Sequence, residues 1–213
     1  MPFTPKEMIS TVTRLFQRFD AISVREADAV QVLKNEFGVE GTQVVDPVFL
    51  LEQEEYDEII ADSKAQESEK YVLSYILDPT PEIREALLFV AKKKNLKLIN
   101  MLDGYGYRSF EKNKQKLNLP NIVENLDAPT WLWYLKNAEF VITDSCHGAS
   151  FSLVFERPFV AIANKERGVS RFESLVDVFD IRDRYIYDVK RLQREPELLE
   201  EIDYSRIRKI FDM

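Results

Sequence analysis

The chain has 213 residues, 45% hydrophobic and 31% charged, with 6 Gly and 9 Pro; this suits one large domain or one and a half and excludes collagen-like and low-complexity classes. Its 37 acidic residues against 29 basic ones leave a formal net charge of −8, a balance that repels phosphate backbones and speaks against nucleic acid as a partner. No apolar run approaches the roughly 18 residues of a membrane span, no apolar signal core lies among Lys6, Glu7, Arg14, Arg18 and Asp20, and one cysteine with one histidine excludes an internal disulfide and zinc held by Cys and His. A soluble cytoplasmic protein is expected.

Apolar periodicity and turn signals predict a helix over 6–18, a strand at 21–24, a helix over 26–37, a strand at 43–45 and a helix over 52–62. The polar stretch 61–70, ADSKAQESEK, reads as a linker. Beyond it come a strand at 71–76, a helix over 81–94, a strand at 96–100, a helix over 109–117, a strand at 122–124, a helix over 129–138 and a strand at 140–143. A helix over 148–155, strands at 159–162 and 185–187, and helices over 170–179 and 204–211 complete the pattern. Pro81 and Pro129 suit first helical turns. Strands alternating with helices argue an α/β fold, a Rossmann-like, mostly parallel sheet with helices on both faces. Two strands before the linker are too few for an independent doubly wound domain. Residues 1–64 are therefore expected to be the remnant of an N-terminal Rossmann-like domain plus linker, and residues 65–213 a C-terminal Rossmann-like domain.

The richest stretch is FVITDSCHGASF, from Phe140 to Phe151. An apolar strand runs into Thr-Asp-Ser, then His147-Gly148, then a helix of small residues. In open α/β sheets the carboxyl ends of strands face the ligand crevice, and a helix N-terminus there suits an anion. Gly148 would let a ligand approach the backbone closely. His147 stands where a general acid or base would work at neutral pH. The plainer alternative is that Asp144 or Ser145 caps the helix and His147 is a surface residue. Cys146 reads as a small buried hydrophobe rather than a nucleophile paired with its neighbour.

A second stretch, ANKERGVSRFESL, places Lys165, Arg167 and Gly168 in a loop before a helix opening near Ser170. Arg171 in its first turn opposes the helix dipole, which points to another reason such as anion binding; the plainer reading is a solvated basic loop paired with Glu166 and Glu173. A third, ISVREAD, ends a strand at Arg25, a residue suited to a carboxylate or phosphate or to a salt bridge with Glu26 or Asp28. Asp46-Pro47 reads as a turn, and Gly104-Tyr105-Gly106, lacking a third glycine and a Walker lysine, as a loop.

In this order, the blocks Ile22-Ser23-Val24-Arg25-Glu26, Val45-Asp46-Pro47, Phe140 to Gly148 and Gly168-Val169-Ser170-Arg171-Phe172 resemble the polysaccharide pyruvyl transferase family. The resemblance implies two Rossmann-like domains of the GT-B type facing a cleft, of which this chain would be the C-terminal half. It also implies transfer of pyruvate from phosphoenolpyruvate to a sugar hydroxyl of a bacterial surface polysaccharide precursor, with no metal or cofactor. His147 matches the histidine of the family's His-Gly block and Arg25 the arginine of Ser-x-Arg. Several members carry Arg two residues before that histidine; here the position is Ser145, and Arg171 could substitute. The expected site is therefore a catalytic His147 and a binding set of Arg25, Ser145, Gly148, Ser170 and Arg171. Arg25 is expected near the others only in an intact two-domain enzyme, and the truncated chain is expected to be inactive by itself. The alternatives are a nucleotide-sugar-dependent transferase domain and a non-catalytic remnant or interaction module. A homodimer through the truncated segment is also expected, because a cut domain leaves apolar surface uncovered.

Overall fold

The computed structural model describes residues 6–103, 107–124 and 126–211. The Gly104-Tyr105-Gly106 loop lies outside them, as does the side chain of Glu166. In chain order the first segment holds α1 (Lys6–Phe16), β1 (Ser23–Val24), α2 (Ala27–Phe37), β2 (Thr42–Gln43) and α3 (Gln53–Ile60). After the polar stretch come β3 (Tyr71–Ile76), α4 (Pro81–Lys94), β4 (Lys97–Leu102), α5 (Tyr107–Leu117), α6 (Ala128–Lys136), β5 (Phe140–Thr143), α7 (Cys146–Val154) and β6 (Phe159–Ile162). The chain continues through α8 (Ser170–Phe179), β7 (Tyr185–Ile186), α9 (Arg191–Arg194) and α10 (Tyr204–Phe211). Among the described residues no helix is long and apolar enough to cross a membrane.

Strands β3 to β7 form one all-parallel sheet in the order β4-β3-β5-β6-β7. Its central strands are apolar runs because both faces are covered. Successive side chains alternate between two cores. Val72, Ile76, Phe140, Ile142 and Val160 pack with Ile83, Leu87 and Val90 of α4. Tyr71, Leu73, Val141 and Ala161 pack with Leu132 of α6, Leu153 of α7 and Phe172 of α8. A fully buried Leu, Ile or Phe in such a core contributes about 1.5–3 kcal/mol. Local chemistry sets the helix ends. Thr80 caps α4, its hydroxyl accepting from Ile83 N with Pro81 next, and Asn95 closes the helix in the left-handed conformation. Asp127 caps α6 in the same way, accepting from Thr130 N.

The expected strand at 122–124 is reduced to one bridge, Asn100 to Ile122. Asn118 and Asn121 both adopt positive φ around Pro120, so the chain turns there instead of extending. Short 3-10 turns at Pro47–Phe49 and Lys165–Arg167, with no apolar period to announce them, were not among the expected elements.

Strands β1 and β2 make a separate two-stranded parallel sheet. Their segment docks on the face carrying α7 and α8. Ala27 N donates to Ser174 Oγ at 3.0 Å, Phe49 lies 4.7 Å from Phe179 between ring centroids, and Tyr56 meets Phe151 and Phe155 edge-on. The chain runs from β3 to β4 on one side and returns to β5 on the other. The topological switch point, where ligands bind in such sheets, is thus between the carboxyl ends of β3 and β5.

Candidate functional site

A cavity of about 260 Å³ opens at that switch point. Tyr75 of β3 and Leu77 just after it, Asp103 after β4, Asp144 to His147 after β5, and Arg167, Gly168, Arg171 and Phe172 after β6 line it. Its floor is tied by one buried carboxylate. Asp144 accepts from Leu77 N at 2.6 Å, Asp78 N at 3.0 Å and Asn164 Nδ2 at 3.0 Å. Burial pushes its carboxyl above the usual range, against the pull of these donors. Asn164 also donates to Asp78 Oδ2 at 2.8 Å and accepts from Arg167 N at 3.2 Å. Arg167 is therefore held from both ends: its Nε donates to Asp78 at 2.9 Å and its Nη2 to Asp103 at 3.1 Å.

Helix α7 starts at the cavity wall. Ser145 is its N-cap, accepting from Gly148 N at 3.4 Å, and is itself buried. Gly148 is buried against the strand: a Cβ there would come within 2.3 Å of Thr143 Oγ1. The room left by the glycine is taken by Thr143, which gives the residue a packing reason in place of the close ligand approach expected from the sequence. His147 points outward, with 52% of its side chain exposed. Cys146 beside it is a thiol at neutral pH, because burial pushes its pKa up to about 11.

The first segment brings a second set of groups to His147. The Asp46 carboxylate accepts a hydrogen bond from Arg25 Nη1 through Oδ2 and one from Val48 N at 3.2 Å through Oδ1. His147 Nε2 lies 3.7 Å from Asp46 Oδ2. The partnership with Asp46 raises the Arg25 pKa further. Glu26, next to Arg25, places Oε1 3.8 Å from Arg25 Nη2 and 3.6 Å from Arg171 Nε. Below these groups lies a narrow apolar cleft of about 30 Å³ whose walls include Val44, Phe49, Leu175, Val178 and Phe179, with Arg25 and Arg171 beside it. Arg171 and Cys146 line both this cleft and the larger cavity.

Of the residues singled out in the sequence, Ser145, His147 and Arg171 border the cavity together. Gly148 and Ser170 do not line it: Gly148 lies behind Thr143 and Ser170 opens α8 beside it. Arg25 was expected nearby only with a second domain present, yet within this chain Asp46 links it to His147 and Glu26 links it to Arg171. Asp46, Glu26, Arg167 and Asp144 join the site only in the fold. For Asp46 the signal was available, since Asp before Pro is a capping pattern; its role as a carboxylate shared between two distant segments was not. Chemically, the group offers guanidinium ions for an anion and an imidazole for proton transfer. Among the described residues no group of three His, Cys, Asp or Glu could hold a metal ion.

The family described as polysaccharide pyruvyl transferase matches residues 1–166. No curated protein matches the chain. Among solved structures, the C-terminal CMP-Kdo binding domain of WaaA from Acinetobacter baumannii is 14% identical, with 79% of this chain and 100% of that one covered and a TM-score of 0.45. UDP-GlcNAc 2-epimerase from Neisseria meningitidis is 13% identical, covering 99% of this chain and 63% of its own, at a TM-score of 0.49. The wall teichoic acid polymerase TagF is 14% identical, covering 100% and 62% at a TM-score of 0.43. The chain thus spans less than two thirds of the epimerase and polymerase chains.

Proposed function

The chain belongs to the polysaccharide pyruvyl transferase family, and we propose that it serves, in the bacterial cytoplasm, the transfer of a pyruvyl group from phosphoenolpyruvate to a saccharide precursor of a surface polysaccharide. The observation that carries this reading is the gathering of the lone histidine and two arginines around two carboxylates beside the switch-point cavity. His147 lies 3.7 Å from Asp46, which binds Arg25, and Glu26 bridges Arg25 and Arg171. In this reading residues 1–64 and 65–213 are two units, the first contributing Arg25 and Asp46 to the site of the second.

The chemistry follows from the donor. His147, as the acid, gives a proton to the methylene carbon of the enol, leaving an oxocarbenium-like centre at the adjacent carbon. A sugar hydroxyl attacks that carbon, forming the new C–O bond and returning its proton to the imidazole. The C–O bond to phosphate then breaks, inorganic phosphate leaves, and a second hydroxyl closes the cyclic ketal with loss of its proton. Arg25 and Arg171 hold the donor's carboxylate and phosphate. Ser145 at the start of α7 borders the site and Ser170 opens α8 beside it, where free backbone N–H groups favour an anion; Gly148, behind Thr143, lets α7 begin close against β5.

The test is a panel. Phosphoenolpyruvate with diol-bearing saccharides should release inorganic phosphate only when both are present and yield a ketal detectable by mass spectrometry. Turnover of nucleotide sugars without use of phosphoenolpyruvate would replace this reading with a nucleotide-sugar-dependent transferase. Binding of donor with no turnover of either class would leave a non-catalytic binding module.

A further inference from the structure

Glu26 occupies an unusual position for a carboxylate that caps nothing. It precedes α2, yet its side chain makes no cap hydrogen bond to that helix. The hydrogen bond from Ala27 N to Ser174 Oγ at 3.0 Å pins this point of the chain against α8, so the Glu26 side chain is set opposite the first turn of that helix. There a single oxygen, Oε1, lies between two guanidinium groups, 3.8 Å from Arg25 Nη2 and 3.6 Å from Arg171 Nε. Arg25 has a tighter partner in Asp46, and Arg171, half exposed, meets Glu26 without a close hydrogen bond. Two arginines from distant segments converging on one carboxylate oxygen describe a seat of the shape and charge that a carboxylate ligand requires. The seat borders the apolar cleft of about 30 Å³ walled in part by Val178 and Phe179, room for one small apolar group beside the anion.

We propose that Glu26 is a resident carboxylate in an anion seat formed by Arg25 and Arg171, and that a ligand bearing a carboxylate next to a small apolar group binds by displacing it. That phosphoenolpyruvate is this ligand rests on the function proposed above; the seat itself stands on the position of Glu26. Glu26 then sets the threshold of the site. Weak or singly charged anions do not dislodge it, whereas a ligand carrying several negative charges does.

The experiment is titration calorimetry of the 213-residue chain with oxalate and with phosphoenolpyruvate, on the wild type, Glu26→Gln and Arg171→Gln. Glutamine keeps the size of the side chain and removes the competing charge. Glu26→Gln should bind oxalate and phosphoenolpyruvate about three- to tenfold more tightly than the wild type, the range for loss of two partly exposed ion pairs, and added salt should shrink the gain. Arg171→Gln should bind both more weakly than the wild type, and this variant carries the test alone if Glu26→Gln does not fold. Unchanged or weaker binding by a folded Glu26→Gln, or unchanged binding by Arg171→Gln, overturns the seat, as does the absence of binding in every variant. A gain for oxalate with none for phosphoenolpyruvate keeps the seat and removes phosphoenolpyruvate as its ligand.

Discussion

Gly148 and Thr143 are coupled at the level of single atoms. Thr143 Oγ1 donates to Tyr75 O at 2.8 Å and accepts from Ser145 N at 3.0 Å, so it cannot swing away from a Cβ that would sit 2.3 Å from it. Gly148→Ala should therefore cost about 1–3 kcal/mol, the range for overpacking a tight interior, read by denaturant unfolding. Adding Thr143→Ala should return part of that loss, because it removes the atom the new methyl meets. Equal losses in the single and double variants would show that the crowding lies elsewhere. The sequence predicts a strand, a turn through His147 and a helix from Gly148; the helix begins two residues earlier, at Cys146, because Ser145 caps it. The sequence could not show that the glycine answers to Thr143, because the contact depends on how closely α7 lies on β5. Nor could it show that Asp46, 101 positions before His147 in the chain, ends 3.7 Å from its ring, since that requires the docking of the first segment.

At the scale of elements, α10 closes the sheet face that carries α7. Tyr204 OH donates to Arg157 O at 2.5 Å, and Arg208 pairs with Glu156 just beyond the end of α7. The hydrogen bond from Arg208 holds the Glu156 carboxyl below the usual carboxylate range. A depressed folded value means that the pair's stabilisation is present above the ordinary carboxylate pKa and is lost as pH falls through the depressed one. Arg208→Gln should thus lower the melting temperature at neutral pH, and the gap to the wild type should close on acidification beneath about pH 4. A gap of constant size across that range would assign the effect of the substitution to packing of the arginine stem. The elements legible in the sequence were those with a long period and a chemical end mark. Helix α4 has Thr80-Pro81 before it and Asn95 after it, and β3, β5 and β6 are apolar runs bounded by polar residues. The strands expected at 21–24 and 43–45 form as the two-residue β1 and β2, whereas the 3-10 turns are too short to show a period.

At the scale of the whole molecule, exposed apolar surface is unevenly spread. Of the ten exposed large hydrophobic residues among the described residues, eight lie before Ala61, among them Phe19 at 65% and Leu50 at 77%. Where such residues adjoin, they mark contact with another molecule or segment. The chain is expected to self-associate through this segment, with light scattering giving a mass that rises with concentration and falls back when Phe19 and Leu50 are both replaced by Ser. A monomeric mass at all concentrations would refute self-association.

In the proposed reaction His147 moves the proton at the cavity where α7 begins. Acceptor-dependent phosphate release from phosphoenolpyruvate by the intact two-domain enzyme, compared between the wild type and His147→Ala, tests it most directly. The imidazole is half exposed, so the variant should fold and melt as the wild type does. Its turnover should fall by about two to four orders of magnitude, the range for a lost acid–base group, and turnover equal to that of the wild type would contradict the claim.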